Sequence, residues 1–86
     1  NKPNKKYMVI NKNRKIYFGA SGYEDYTIHK DKERKKNYIK RHSGEDWKNL
    51  NKAGTWSRYI LWNKPTIKGS IKDMERKFNI KIYTIM

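Results

Sequence analysis

The chain has 86 residues, with 22 Lys plus Arg against 8 Asp plus Glu, a formal net charge of +14 and a pI near 10.1. So few residues build only one hydrophobic core, so the expectation is a flexible basic arm over 1–6 and a single domain over 7–86. A positive excess of this size repels itself in a compact state and points to a polyanionic partner, while the absence of cysteine excludes disulfides, thiolate zinc sites and cysteine nucleophiles.

Asn1 to Lys6 contains Pro3 and three Lys but no apolar residue, the composition of an arm that follows a phosphate backbone. Tyr7-Met8-Val9-Ile10 and Lys15-Ile16-Tyr17-Phe18 are β-prone runs around Asn11-Lys12-Asn13-Arg14, where Asn tolerates the positive φ of a tight turn, so a hairpin is predicted. Gly19 to Gly22 ends it, and Tyr23 to Tyr26 reads as an irregular segment. Asp31 to His42 lacks Gly and Pro, begins with Asp31 and Glu33, and ends with Lys40, Arg41 and His42. Charges of those signs complement a helix macrodipole, so a first helix is predicted there. Its apolar face is thin, limited to Tyr38 and Ile39 with the stems of Arg34 and Lys35. Such a helix lies on the surface with Lys32, Lys36 and Lys40 outward.

Glu45 to Lys52 is predicted to form a short helical turn pinned by Trp47, broken at Ala53-Gly54. Thr55 then caps a second helix through Trp56, Tyr59, Ile60 and about Trp62, with Arg58 on its far side. Asn63-Lys64-Pro65 stops it. Thr66 caps a third helix in which Ile67, Ile71, Met74 and Phe78 form an apolar stripe opposite Lys68, Lys72, Asp73 and Arg76, closed by Asn79. Ile80 to Ile85 alternates with period 2, as a half-buried strand does, and is expected to complete a small antiparallel sheet with the hairpin. The fold class read from this order is α+β: an N-terminal hairpin, three helices and a C-terminal strand.

The residues for chemistry are sparse. His29 and His42 stand thirteen positions apart with a helix between them, roughly 18 Å at 1.5 Å rise per residue, and so cannot share a metal ion. Asp25, Asp31, Glu45 and Asp46 all lie beside cations or at capping positions rather than as a converging acidic set. Gly19-Ala20-Ser21-Gly22 lacks the Lys-Ser or Lys-Thr of a phosphate loop. No enzyme activity, metal or cofactor is expected. The longest apolar run, Tyr59-Ile60-Leu61-Trp62, is far short of the ~20 residues that span a bilayer, and no apolar signal region opens the sequence. The expected setting is soluble, either intracellular or inside a particle.

Charge is concentrated instead. Lys30 to Arg41 carries Lys30, Lys32, Arg34, Lys35, Lys36, Lys40 and Arg41 against Asp31 and Glu33. With Arg58, these seven cations are the candidate phosphate contacts. Lys greatly outnumbers Arg, which favours point-charge contact to phosphate over bidentate base reading. Trp56, Tyr59 and Trp62 are assigned to packing by their helical spacing.

The runs Phe18-Gly19-Ala20, Gly22-Tyr23, Asp25-Tyr26-Thr27-Ile28-His29-Lys30-Asp31, Arg34-Lys35, Tyr38-Ile39, Arg41-His42, Asp46-Trp47, Ala53-Gly54, Trp56-Ser57-Arg58, Leu61-Trp62-Asn63-Lys64-Pro65 and Ser70-Ile71 carry a resemblance. The sequence resembles small basic proteins of uncharacterised function from large double-stranded DNA viruses of protists and algae, with phage relatives. That resemblance implies a virion- or genome-associated protein, in the virion and in the host cytoplasm or nucleus during infection. The expected function is largely sequence-independent DNA binding; the alternative is a minor capsid protein cementing acidic surfaces of other virion proteins.

Overall fold

The computed structural model describes residues 4–83. The hairpin forms where β-prone runs flank a short polar turn: β1 (Lys5–Asn11) pairs antiparallel with β2 (Arg14–Ala20), in a register running from Lys5 opposite Ala20 to Asn11 opposite Arg14. Two residues remain for the turn, Lys12 and Asn13, and both take positive φ, 50° and 67°. A two-residue turn of this kind matches the right-handed twist of the strands it joins. Lys5 and Lys6, expected in the arm, belong to β1; the arm's first three residues lie outside the described range.

Alternation along the ribbon buries Ile16 and Phe18 on one face, with Val9 packed beside them, and leaves Met8 and Ile10 exposed on the other. Gly19 is required at the end of β2. Its φ is +80°, and a Cβ there would sit 2.9 Å from Leu61 Cδ1.

Tyr23 to Tyr26 is more ordered than its composition suggests. Asp25, buried, accepts from the Thr27 backbone N–H at 2.9 Å and caps a one-turn helix α1 (Tyr26–His29); it also pairs with Lys6 Nζ at 2.8 Å. Lys30 in the left-handed region ends α1. The predicted first helix is α2 (Lys32–Arg41), capped by Asp31, whose carboxylate accepts from the backbone N–H groups of Glu33 and Arg34. Asp31 N–H in turn donates to His29 Nδ1 at 2.9 Å, so this histidine organises the α1–α2 corner.

The middle of the chain departs from the expectation. Residues 45–52 form consecutive turns rather than helix. Thr55 is no cap: α3 (Ala53–Trp56) starts two residues earlier, and the buried Thr55 hydroxyl donates to the Asn49 carbonyl at 2.6 Å, tying the turns down. The helix continues as a π-helical segment, Ser57–Leu61, which places both Ile60 and Leu61 in the core. Among the described residues, four helices and this segment therefore stand where three helices were expected. The fold remains α+β.

Thr66 caps α4 (Ile67–Phe78) by accepting from Gly69 N–H at 3.0 Å, and Asn79 at φ 53° ends it, as its sequence signals indicate. Met74 is fully buried, and Ile67, Ile71 and Phe78 pack against the same core. Asp73, expected opposite that stripe, is buried as well. Its carboxylate accepts from Asn63 Nδ2 at 2.8 Å and pairs with Arg76, and these donors hold it below the ordinary carboxylate pKa despite burial. The core joins Ile16 and Phe18 of the ribbon to Trp56, Ile60, Leu61 and Met74 of the helices.

The expected C-terminal strand is not formed within the described residues, where the sheet has two strands. Ile80 and Ile82 pack against the core, but the Ile82 backbone N–H donates to the Glu75 carboxylate at 2.7 Å instead of to a neighbouring strand. Period-2 burial is thus met by a tail lying along α4. Thr84 and Ile85, the rest of that strand, lie outside the described range.

Candidate nucleic-acid interface

Helix α2 has no buried residue, and a helix this polar is held by a few contacts along one edge. Lys35, Tyr38, Ile39 and His42 face inward at helical spacing. Tyr38 stacks on Trp62 with ring centroids 4.3 Å apart and planes within 3°, and His42 lies on Tyr38 at 4.3 Å while its Nδ1 pairs with Glu45. Burial first, and the Glu45 carboxylate next, push the Tyr38 phenol up to about 12, so it stays neutral. Lys35 Nζ lies 5.0 Å from the centre of the buried Tyr26 ring. Desolvation and then the nearby Arg58 and Lys64 charges lower its pKa.

With that edge inward, Lys32, Lys36, Lys40 and Arg41 are exposed, and their side chains make no hydrogen bond or ion pair among the described residues. Of the eight cations singled out in the sequence, these four form one free surface. Arg34 is exposed but pairs with the equally exposed Glu24 at 3.1 Å. Lys30 donates to the Thr27 carbonyl at 3.0 Å. Lys35 leans inward over Tyr26.

Arg58 is not on the far side of its helix. Its guanidinium lies 5.3 Å from the Trp47 ring centre and 5.1 Å from that of Tyr59, and it donates to the Trp62 carbonyl at 2.9 Å. The π-helical winding of Ser57–Leu61 shifts side-chain directions away from those of an α-helix, and the aromatic rings offer the cation a better partner than solvent. Desolvation there lowers its pKa. Arg58 thus ties the Trp47 and Tyr59 rings to the backbone of Trp62, whose ring in turn stacks on Tyr38 of α2.

Three hairpin cations escaped the sequence-based selection, Lys12, Arg14 and Lys15, and Lys5 and Lys6 join them in the ribbon although they were expected in the arm. Their signal is visible in retrospect, since the first acidic residue of the chain is Glu24. Lys6 is engaged by Asp25; the others are exposed. Among the described residues no three His, Asp or Glu side chains gather as a metal site, and no helix is long and apolar enough to cross a membrane.

The structure defines a small α+β domain that carries a basic surface helix on an aromatic brace. Over residues 1–42, which span the hairpin, α1 and α2, the chain is similar to a family of unknown function, DUF5754. No curated protein and no solved structure matches it.

Proposed function

We propose that this domain binds DNA without catalysis, gripping the phosphate backbone largely independently of sequence through the outer face of α2, in a genome-associated role within a viral particle. The observation that carries this reading is the row Lys32, Lys36 and Lys40, with Arg41 beside it: four exposed cations free of carboxylate partners. Steps of four residues advance by about 6 Å along a helix, close to the ~6.8 Å that two phosphates of one strand occupy along a duplex axis. Lysines used this way position a protein on nucleic acid without reading bases. Arg34 lies off this row, on the side of the helix that Arg41 shares, and its exposed ion pair with Glu24 is weak enough to exchange for phosphate. Lys35 and Arg58 support the face from beneath rather than touching the ligand. The viral setting follows from the resemblance of the Tyr26–Asp31 and Ser57–Pro65 segments.

The test is titration of the protein against a short DNA duplex at several salt concentrations. Counterion release predicts a log–log slope of several units, and the K32A/K36A/K40A/R41A variant lowers its magnitude by about 3.6, or ~0.9 for each contact removed. All four side chains are exposed, so the variant keeps the wild-type melting temperature. Negligible duplex binding by the wild-type protein at low salt defeats the proposal and favours an acidic protein surface as the partner.

A further inference from the structure

The hairpin is a second cationic element, and its outer face points away from the helices. Its inner face is spent on Ile16 and Phe18, which pack against Trp56 and Leu61; its outer face shows Met8, 45% exposed, and Ile10, 59% exposed. Both long edges lack strand partners among the described residues. Lys12, Arg14 and Lys15 surround the tip, all exposed, without an ion pair and with no acidic residue anywhere in the ribbon. Asn11 Nδ2 donates to the Leu50 carbonyl at 3.4 Å and to Asn51 Oδ1 at 3.1 Å, fixing the tip end against the 49–51 turn. The opposite end, near Lys5, Lys6 and Gly19, lies beside Tyr38 of α2 across a cavity of about 250 Å³. The tip therefore projects away from the α2 surface.

The apex residue strengthens the case for a ligand. Lys12 occupies a left-handed conformation, φ 50°, at a position where such turns favour Asn, Asp or Gly. A lysine there costs backbone energy, and its side chain makes no hydrogen bond or ion pair among the described residues to offset it.

We infer that the hairpin is a second, independent duplex-DNA site, so that one molecule holds two duplexes, one on α2 and one on the ribbon. The inference rests on the α2 reading for the first duplex. A two-stranded ribbon is one of the two elements that the ~12 Å major groove admits. Lys12, Arg14 and Lys15 meet phosphates at the groove edges, while Met8 and Ile10 turn toward the base edges. A long apolar ribbon edge would invite a second copy of the chain, but like charge on every such tip opposes that pairing and favours a polyanion.

The experiment immobilises a duplex of about 20 base pairs and measures capture of a second, fluorescent duplex. Both are far shorter than the ~150 bp persistence length, so neither folds back onto two surfaces of one molecule. The K12G/R14A/K15A variant removes three charges at exposed positions and relieves the turn, so it is expected to fold at least as stably as wild type. Wild-type protein, shown to be monomeric by sedimentation, captures the second duplex. The hairpin variant still binds one duplex through α2, but captures at least ~10-fold less of the second at moderate salt, as expected for the loss of three phosphate contacts. K32A/K36A/K40A/R41A likewise binds one duplex and fails to bridge. Wild-type binding of a single duplex without bridging overturns the second site while leaving the α2 reading intact, and undiminished bridging by the hairpin variant overturns the choice of the ribbon. No duplex binding at all defeats both readings.

Discussion

Tyr38→Ala removes the one face-to-face aromatic contact that, among the described residues, joins α2 to the rest of the molecule. The stack on Trp62 is worth ~0.5–1.5 kcal/mol beyond its area, and truncating a fully buried large aromatic costs ~3–5 kcal/mol, so for a half-buried ring about 2 kcal/mol is expected. In a domain of this size that corresponds to a melting point roughly 10 °C lower. The loss is also local. α2 contributes nothing to the buried core cluster, so its amides lose hydrogen-exchange protection before those of α4 and the ribbon. Tyr38→Phe keeps the ring and behaves as wild type, because the neutral phenol makes no hydrogen bond among the described residues. Thermal denaturation with hydrogen exchange measures both effects. If α2 amides in the alanine variant stay as protected as in wild type, the stack is not what holds the helix, and the account of the interface as a braced surface is wrong.

Arg58→Ala separates bracing from ligand contact: it lowers stability by about 1–2 kcal/mol through the lost cation–π contacts and the bond to the Trp62 carbonyl, and leaves the salt slope of DNA binding unchanged. Arg58→Lys does not restore it, since a point charge cannot replace a planar guanidinium. A reduced slope at unchanged melting temperature would make Arg58 a phosphate contact after all. Asp73 carries the pH prediction. Its folded pKa lies below the unfolded value of 3.8, so its contribution is fully present above that value and is lost as pH falls through the lower folded value. Asp73→Asn is therefore less stable than wild type at neutral pH by about 1–3 kcal/mol, and the gap narrows as pH falls below 3.8, which denaturant unfolding across pH measures. A gap independent of pH refutes the assignment.

Local signals carried much of the fold. The turn residues Lys12 and Asn13 between two β-prone runs, Asp31 before α2, and Thr66 and Asn79 at the ends of α4 act through their immediate neighbours, so residue order alone located those elements. The Thr55 cap and the C-terminal strand failed for the opposite reason: a threonine caps or anchors according to which carbonyls lie within reach, and alternating isoleucines are buried equally well on a sheet or along a helix. Asp73 shows the same limit, because the approach of Asn63 from another element, with Arg76 beside it, makes a buried carboxylate tolerable on the core side of α4.

The site divides along the same line. Sequence by itself determined that the chain is strongly basic and that its densest charge lies on a polar helix, read as Asp31 to His42, since net charge and macrodipole matching depend on order alone. Tertiary structure decided which of those cations are free. Packing turns Lys35 and Arg58 onto aromatic rings, ties Arg34 to Glu24, and leaves Lys32, Lys36, Lys40 and Arg41 in solvent. It also sets the hairpin's cations on a surface of their own, because the ribbon must bury Ile16 and Phe18 and so presents Met8 and Ile10 outward.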